Sequence, residues 1–177
     1  GGTLATADTG LITTSGGQTA TLANLTNAGT FNVANSSDLR LQGTITNTGT
    51  LNLRSAGNLT DLVMSGPVTL AGGGVTDLSS TTANRIVALA PGAQLTVGVG
   101  QTLRGSGQFG AGTGLALVNQ GTISASQAAP LTIAMTGPVS NAAGGTMQAA
   151  AGGTLNVDSA LANAGTLAAH GGVVNAN

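Results

Sequence analysis

The chain has 177 residues, a length typical of one domain, with 30 Gly, four Arg, five Asp and a net charge of −1, and it lacks Lys, Glu, Cys, Trp and Tyr. Four scattered Arg exclude the clustered basic surface that nucleic-acid binding needs. The absence of Cys excludes disulfides and thiolate metal sites. No apolar run approaches the roughly 18 residues of a membrane-spanning helix.

One short phrase recurs along the chain: an apolar residue, any residue, Asn, a small turn ending in Gly-Thr, and another apolar residue. It reads LTNAGTFNV (25–33), ITNTGTLNL (45–53), LVNQGTISA (117–125), VSNAAGGTMQA (139–149) and LANAGTLAA (161–169). The apolar residues that open successive repeats align as Leu11, Phe31, Leu51, Val75, Leu95, Ile123, Met147 and Leu167. Their spacing is near 20 residues with insertions, which indicates a solenoid.

Each repeat contains three short segments in which apolar and polar residues alternate. They are residues 31–33, 39–41 and 44–46 in the repeat from Phe31, residues 123–125, 131–135 and 138–141 in the repeat from Ile123, and residues 147–149, 154–157 and 160–163 in the repeat from Met147. Gly, Asn, Ser or Pro bounds each segment, as is typical of short strands joined by turns. The spacing of an amphipathic helix does not persist anywhere.

Three strands per repeat of about 20 residues predict an all-β fold, a single-stranded parallel β-helix (β-solenoid) of about eight rungs. Residues 1–177 would form one solenoid segment, a rod roughly 40 Å long at the usual strand spacing. The chain opens on GGTLATA and closes on GGVVNAN, both in the middle of the pattern. We therefore expect a piece of a longer protein, whose ends pair with adjoining rungs of the parent chain or, end to end, with copies of itself.

Equivalent residues of successive rungs stack in such a fold, so the repeated Asn predicts amide-to-amide hydrogen bonds along the axis. Asn and Gly also tolerate the left-handed backbone of a tight corner. The predicted corner ladder comprises Asn27, Asn47, Asn119, Asn141 and Asn163, with the bend at Gly29, Gly49, Gly121, Gly145 and Gly165. Residues 69–78 and 88–97 lack the Asn, so the ladder should break between Asn47 and Asn119. The Gly-rich residues 105–114 are expected to form a protruding loop.

The phrases TNAGTFNV, TNTGTLNL, VNQGTISA, AAGGTLNV and LANAGTL resemble the filamentous-haemagglutinin-like exoproteins, which are large bacterial surface adhesins secreted by two-partner systems or built as autotransporter passengers. The likeness extends over nearly the whole chain. It implies a right-handed β-helix, export across the outer membrane in an unfolded state, and a role as stalk or adhesive fibre. The family's N-terminal secretion signature is absent, so this segment would belong to the shaft.

Motifs for catalysis or cofactor binding are sparse. GSGQFG at 105–110 matches G-x-G-x-x-G, but no helical pattern follows and no acid lies between Asp77 and Asp158, so a dinucleotide site is not predicted. The acids are Asp8, Asp38, Asp61, Asp77 and Asp158. Only Asp61 and Asp77 fall in adjoining rungs, at different points of the rung. Glycan-cleaving β-helices need clustered carboxylates, so this pair is a weak candidate for catalysis.

Other polar residues predict surface features. Asp38 and Arg40 alternate onto one outward face and should pair weakly. The calcium-binding repeat G-G-x-G-x-D is absent, and His170 is expected to be solvated. No cofactor or metal site is therefore predicted. Sequons mark Asn24, Asn35 and Asn58 as candidate glycosylation sites, although such triplets arise by chance in a chain this rich in Asn and Thr.

The function predicted from these residues is a non-enzymatic structural or adhesive shaft of a secreted bacterial cell-surface protein. Its expected partners are itself or adjoining rungs, and a receptor or glycan at a host or bacterial surface. A carbohydrate-active β-helix enzyme is the alternative. Ice binding is a lesser one, because residues 19–21 (TAT) and 44–46 (TIT) have the right form but are few and fall on different strands.

Overall fold

The computed structural model describes residues 1–177, which form a parallel β-solenoid of about eight rungs with three faces. Face A is an eight-stranded sheet. Its strands are β2 (Ile12–Thr13), β4 (Thr30–Ala34), β6 (Thr50–Arg54), β8 (Val75–Leu78), β11 (Thr102–Gly105), β14 (Thr122–Ala125), β17 (Thr146–Ala149) and β20 (Thr166–Ala169). Every strand is parallel to its neighbours, so each pairs with its equivalent one rung away. The predicted fold class is confirmed.

Faces B and C belong to one thirteen-stranded sheet. Three long strands contribute to both faces: β3 (Thr19–Asn27), β5 (Asp38–Asn47) and β7 (Thr60–Ala71). Face B continues with β9 (Asn84–Ala88), β12 (Gly107–Phe109), β15 (Leu131–Ile133), β18 (Thr154–Val157) and β21 (Val173–Ala176). Face C contains β1 (Thr3–Leu4), β10 (Gln94–Val97), β13 (Ala116–Asn119), β16 (Val139–Asn141) and β19 (Leu161–Asn163). The chain runs through the faces in the order A, B, C.

The long strands turn the corner from face B to face C through single residues with left-handed backbone. Asn24 has φ 47°, Gly43 has φ 68° and Gly66 has φ 87°. The pairing register shifts at the first two of these residues, as expected of a β-bulge. Left-handed residues therefore shape the B–C corner, whereas the sequence predicted them at the corner of the repeated Asn and Gly.

One hydrophobic core fills the interior. Its 32 buried residues extend from Leu22 to Val157 without interruption. In β5, Leu39, Leu41 and Ile45 are fully buried, and the residues between them point outward. Medium-sized aliphatic side chains fit because three short strands enclose a narrow interior. The same constraint accounts for the lack of Trp and Tyr.

Three positions of the predicted register are wrong, one in the first rung and two in the central rungs. On face A, the column of paired residues that contains Phe31 and Leu51 also contains Ile12, Thr76 and Leu103. The sequence predicted Leu11, Val75 and Leu95 at these three positions, and the rest of the column is as predicted. Leu95 lies on face C, where it pairs with Val68 and Leu117. The segment QLTV has the alternation of polar and apolar residues that strands of face A and of face C share. Its residues alone therefore do not assign it to a face.

The expected protruding loop at residues 105–114 is wrong. β12 lies within it and pairs with both β9 and β15, and the Phe109 side chain is fully buried. Gly105 and Gly107 have positive φ, and a Cβ at either would meet the carbonyl oxygen of Leu78 or of Asn84. These glycines are required by close backbone packing, and only residues 110–114 form the turn.

Substitution of Ile133 by Asp should destroy cooperative unfolding. The side chain is fully buried in β15, where a carboxylate would have no partner. An unpaired buried charge costs several kcal/mol, which is comparable with the roughly 5–15 kcal/mol stability of a whole domain. Thermal unfolding followed by circular dichroism measures the effect.

Thr132→Asp is the matched control, because Thr132 points outward from the same strand. Its melting transition should stay close to that of the unsubstituted chain. Equal melts for the two variants would contradict the assigned strand phase.

Candidate functional site

The most distinctive polar feature is a column of buried amides at the corner between faces C and A. The Asn27 Nδ2 donates to Asn47 Oδ1 at 2.8 Å, and the same bond joins Asn119 to Asn141 and Asn141 to Asn163 at 2.8 Å. All except Asn163, in the last rung, are fully buried. Burial in a low-dielectric interior strengthens such bonds and makes an unpaired amide costly, so these Asn hold the corner in one arrangement.

Each ladder amide also ties the corner to the face that follows. The second Nδ2 hydrogen of Asn119 is directed to the Thr146 carbonyl at 3.0 Å, and that of Asn141 to the Thr166 carbonyl at 3.0 Å. The acceptor is in both cases the residue that opens face A one rung further on. Consecutive rungs are thereby linked through side chains as well as through the strand ladder.

Gln101 extends the first part of the column across the rung that has no Asn. Its Nε2 donates to the Asn47 carbonyl at 2.6 Å and to the Ala71 carbonyl at 2.9 Å, and its Oε1 accepts from Asn47 Nδ2 at 3.3 Å. The intervening corner consists of Gly72, Gly73 and Gly74, which have no side chain that could take the place of the missing amide. Gln101 occupies the position that Gly121 holds in a later rung, directly before the Thr that opens face A.

The break in the column is narrower than predicted and lies between Gln101 and Asn119. Asn119 Oδ1 is buried without a hydrogen-bond partner, as is Asn27 Oδ1 at the start of the first part. Each part thus begins with one unsatisfied oxygen, at a cost of about 1–3 kcal/mol for each. The sequence feature that could have located the break is the triple glycine at residues 72–74, followed in the next repeat by Gln101 at the position where Gly121 stands later.

The corner glycines are needed for a different reason from the predicted one. None of Gly29, Gly49, Gly121, Gly145 and Gly165 has a positive φ. A Cβ at Gly49 or Gly165 would collide with the carbonyl oxygen of the equivalent glycine one rung earlier, and at Gly121 it would lie 2.5 Å from the Gln101 carbonyl oxygen. The predicted left-handed backbone at these glycines is therefore wrong. Glycine is needed there because the backbones of successive rungs approach closely.

Sequence reasoning also missed Asn84 at the corner between faces A and B. Its side chain is fully buried. Its Nδ2 donates to the Ser79 carbonyl at 2.8 Å and its Oδ1 accepts from the Ser55 amide at 3.3 Å. Asn84 occurs once, without the Gly-Thr phrase, and so no repeated pattern drew attention to it.

The charged side chains fall into two groups on separate faces. On face B, Arg85 Nε donates to Asp61 Oδ1 at 2.8 Å with a second bond to Oδ2, and this hydrogen bonding raises the pKa of Arg85. On face A, Asp77 lies between Arg54 and Arg104, with N–O distances of 3.3 and 2.8 Å. Asp61 and Asp77 thus lie on different faces of the solenoid, and each carboxylate is paired with Arg.

The other predicted polar residues lie apart from these groups. The predicted pair of Asp38 and Arg40 does not form, and Asp38 accepts a weak bond from the Thr19 hydroxyl at 3.4 Å instead. His170 is exposed in the turn after β20. No group of three or more His, Cys, Asp or Glu side chains is arranged to hold a metal ion.

The three sequon asparagines occupy surface corners. Asn24 is exposed and its Oδ1 accepts from the Thr44 amide at 3.1 Å. Asn35 Oδ1 accepts from the Ala56 amide at 2.7 Å, and Asn58 is exposed in the following rung. Their glycosylation stays a prediction.

Comparisons with protein-family models, with curated proteins and with solved structures give no match. The chain contains no helix that is long and apolar enough to cross a membrane.

Asn47→Ala should destabilise the chain more than Asn52→Ala. Asn47 bonds to Asn27 and Gln101 in the interior, so its loss leaves buried groups unpaired, at about 1–3 kcal/mol each. Asn52 alternates with core leucines and points outward, although it is only 3% exposed because it stacks on Asn32. Asn32 is only partly buried and can bond to water, so we expect a loss of about 0.5–1.5 kcal/mol there.

Urea unfolding of the two alanine variants measures the difference in the free energy of unfolding. Equal losses would show that the buried column contributes no more than an outward amide pair.

Gly49→Ala should be destabilising and Gly73→Ala tolerated. Both glycines lie in C–A corners and neither has a positive φ. A Cβ at Gly49 meets the backbone of Gly29, whereas a Cβ at Gly73 has nothing within 4 Å. Overpacking of this kind costs about 1–3 kcal/mol, and urea unfolding should detect it. Equal stabilities would contradict the close approach of rungs at this corner.

Proposed function

We propose that this chain is a non-enzymatic shaft segment of a secreted bacterial surface protein. The observation that carries the proposal is the unbroken core from Leu22 to Val157, lined along one corner by the amide column. Every rung is joined to the next by strand pairing on three faces. Such a body is suited to holding two points at a fixed separation, which is what a stalk does.

The distribution of charge supports a structural role over a catalytic one. The two best-placed acids each form an ion pair with Arg, and they lie on different faces. A glycan-cleaving site would need carboxylates about 5–10 Å apart around one sugar bond. Surface location and export rest on the resemblance of the Asn-x-Gly-Thr phrases to bacterial exoproteins.

The partners of the shaft are proposed to be further rungs, from the parent chain or from a second copy, and a surface receptor or glycan. The end strands β19, β20 and β21 each hydrogen-bond on one side only. Their other edges carry backbone groups in register for one more rung.

A rigid shaft should hold labels at a separation fixed by the number of rungs. The chain has no Cys, so the double variant Thr30→Cys/Thr166→Cys can be labelled at two sites in one column of face A. Six rung spacings of about 4.8 Å predict about 29 Å between the two Cα atoms. Electron–electron double resonance should give one narrow distance distribution, broadened only by the spin-label linkers.

Thr50→Cys/Thr146→Cys is the matched control, four rungs apart, and should give a distance shorter by about 10 Å. A broad distribution for either pair would contradict a rigid shaft. Incubation with soluble polysaccharides tests the enzymatic alternative: cleavage that is lost in Asp61→Asn or Asp77→Asn would overturn the proposal.

A further inference from the structure

Face C differs from the other two faces in having no charged side chain. All four Arg and all five Asp lie on faces A and B or in the turns beside them. The outward positions of face C hold Thr, Ser, Ala, Val, Pro and Gln. The result is a sheet surface eight rungs long, uncharged, and built from short side chains.

Six threonines form two straight ranks on this face. Strand pairing aligns Thr3 with Thr26 and Thr26 with Thr46 in the first rank, and Thr44 with Thr69 and Thr69 with Thr96 in the second. The ranks meet in β5, where Thr44 and Thr46 point outward two residues apart. The sequence reading found only the TIT segment of this array, because the other four threonines stand singly in strands whose pairing it did not specify.

The spacing of the array is set by the sheet. Neighbours in a rank are one strand apart, about 4.8 Å, and the ranks are separated by two residues of strand, about 6.6 Å. Thr has restricted χ1 rotamers, so adjacent hydroxyls and methyls are held in similar orientations. The solenoid thereby presents hydroxyl and methyl groups at a fixed spacing along each rank, and the two ranks lie side by side in β5.

These hydroxyls are available to solvent. Only Thr96 Oγ1 takes part in a side-chain hydrogen bond, accepting from Gln94 Nε2 at 3.3 Å, and the other five hydroxyls bond to no protein group. An open cavity of about 330 Å³ lies over the N-terminal part of the array and is lined by Thr3, Thr26, Thr44 and Thr46 together with Asn24, Leu25, Gly1 and Gly2. A polar cavity of this size has room for several ordered waters.

We propose that face C binds the surface of ice. The strand spacing of a β-sheet is close to one repeat of the hexagonal ice lattice, so waters bonded to each rank can lie at lattice positions. Charged side chains would impose hydration shells that do not fit a crystal, and face C has none. A sugar ligand is disfavoured because both Phe are buried, which leaves no aromatic surface for a ring to stack on.

The proposal is tested by watching ice grow in the presence of the purified chain. We expect faceted crystals and slowed recrystallisation. Thr69→Lys places a charge in the middle of the second rank and Thr46→Lys places one in the first, and each should abolish both effects. Thr132→Lys is the matched control, since Thr132 is half-buried on the outward side of face B, and it should retain both effects.

Thermal melts by circular dichroism establish that the three variants remain folded, and two substitutions at different sites guard against one that does not fold. Rounded crystals with the unsubstituted chain would overturn the proposal, as would equal loss of activity in Thr132→Lys. Retention of full activity by both face C variants would also overturn it. None of these outcomes depends on whether the chain serves as a shaft.

Discussion

The parallel pairing of each rung with the next is the interaction on which the rest of the structure depends. It places equivalent residues about 4.8 Å apart along the axis, so every side chain has its counterpart as a neighbour on both sides. A residue type is acceptable only if it packs well against itself. Leucine in the core, asparagine at a corner and threonine on an outer face all satisfy this condition, and each recurs at equivalent positions of successive rungs.

Charged residues are the least suited to lying beside their own kind along the axis. Strand pairing places Asp38 directly beside Asp61, and like charges so placed repel. Arg85 pairs with Asp61 from the other side, and the nearby carboxylates of Asp61 and Asp38 both raise its pKa. On face A, Asp77 is likewise set between two Arg. Each of these columns includes an Arg beside an Asp, and the need for such a partner accounts for the scarcity of charge.

The fold could be predicted because the repeat length and the alternation of apolar residues are properties of the chain itself. The strand phase of Ile133 and the stacking of Asn27 on Asn47 followed directly from them. Register in the central rungs could not be predicted, because the sequence around Leu95 fits a strand of face C as well as a strand of face A. The reason for Gly49 was also hidden, since a clash with the backbone of another rung depends on how closely two corners approach. Gln101 was missed because its bonds cross a rung in which the partner side chains are absent.

The amide column gives the rod an electrical direction. In every bond of the column between asparagines, the Nδ2 of one rung donates to the Oδ1 of the following rung, so all these amide dipoles point the same way. Hydrogen bonds in a chain polarise one another, which makes the alignment reinforcing. The oxygen ends face the N-terminal rungs and the hydrogen ends face the C-terminal rungs. Two rods that meet head to tail therefore align their dipoles, whereas two that meet head to head oppose them.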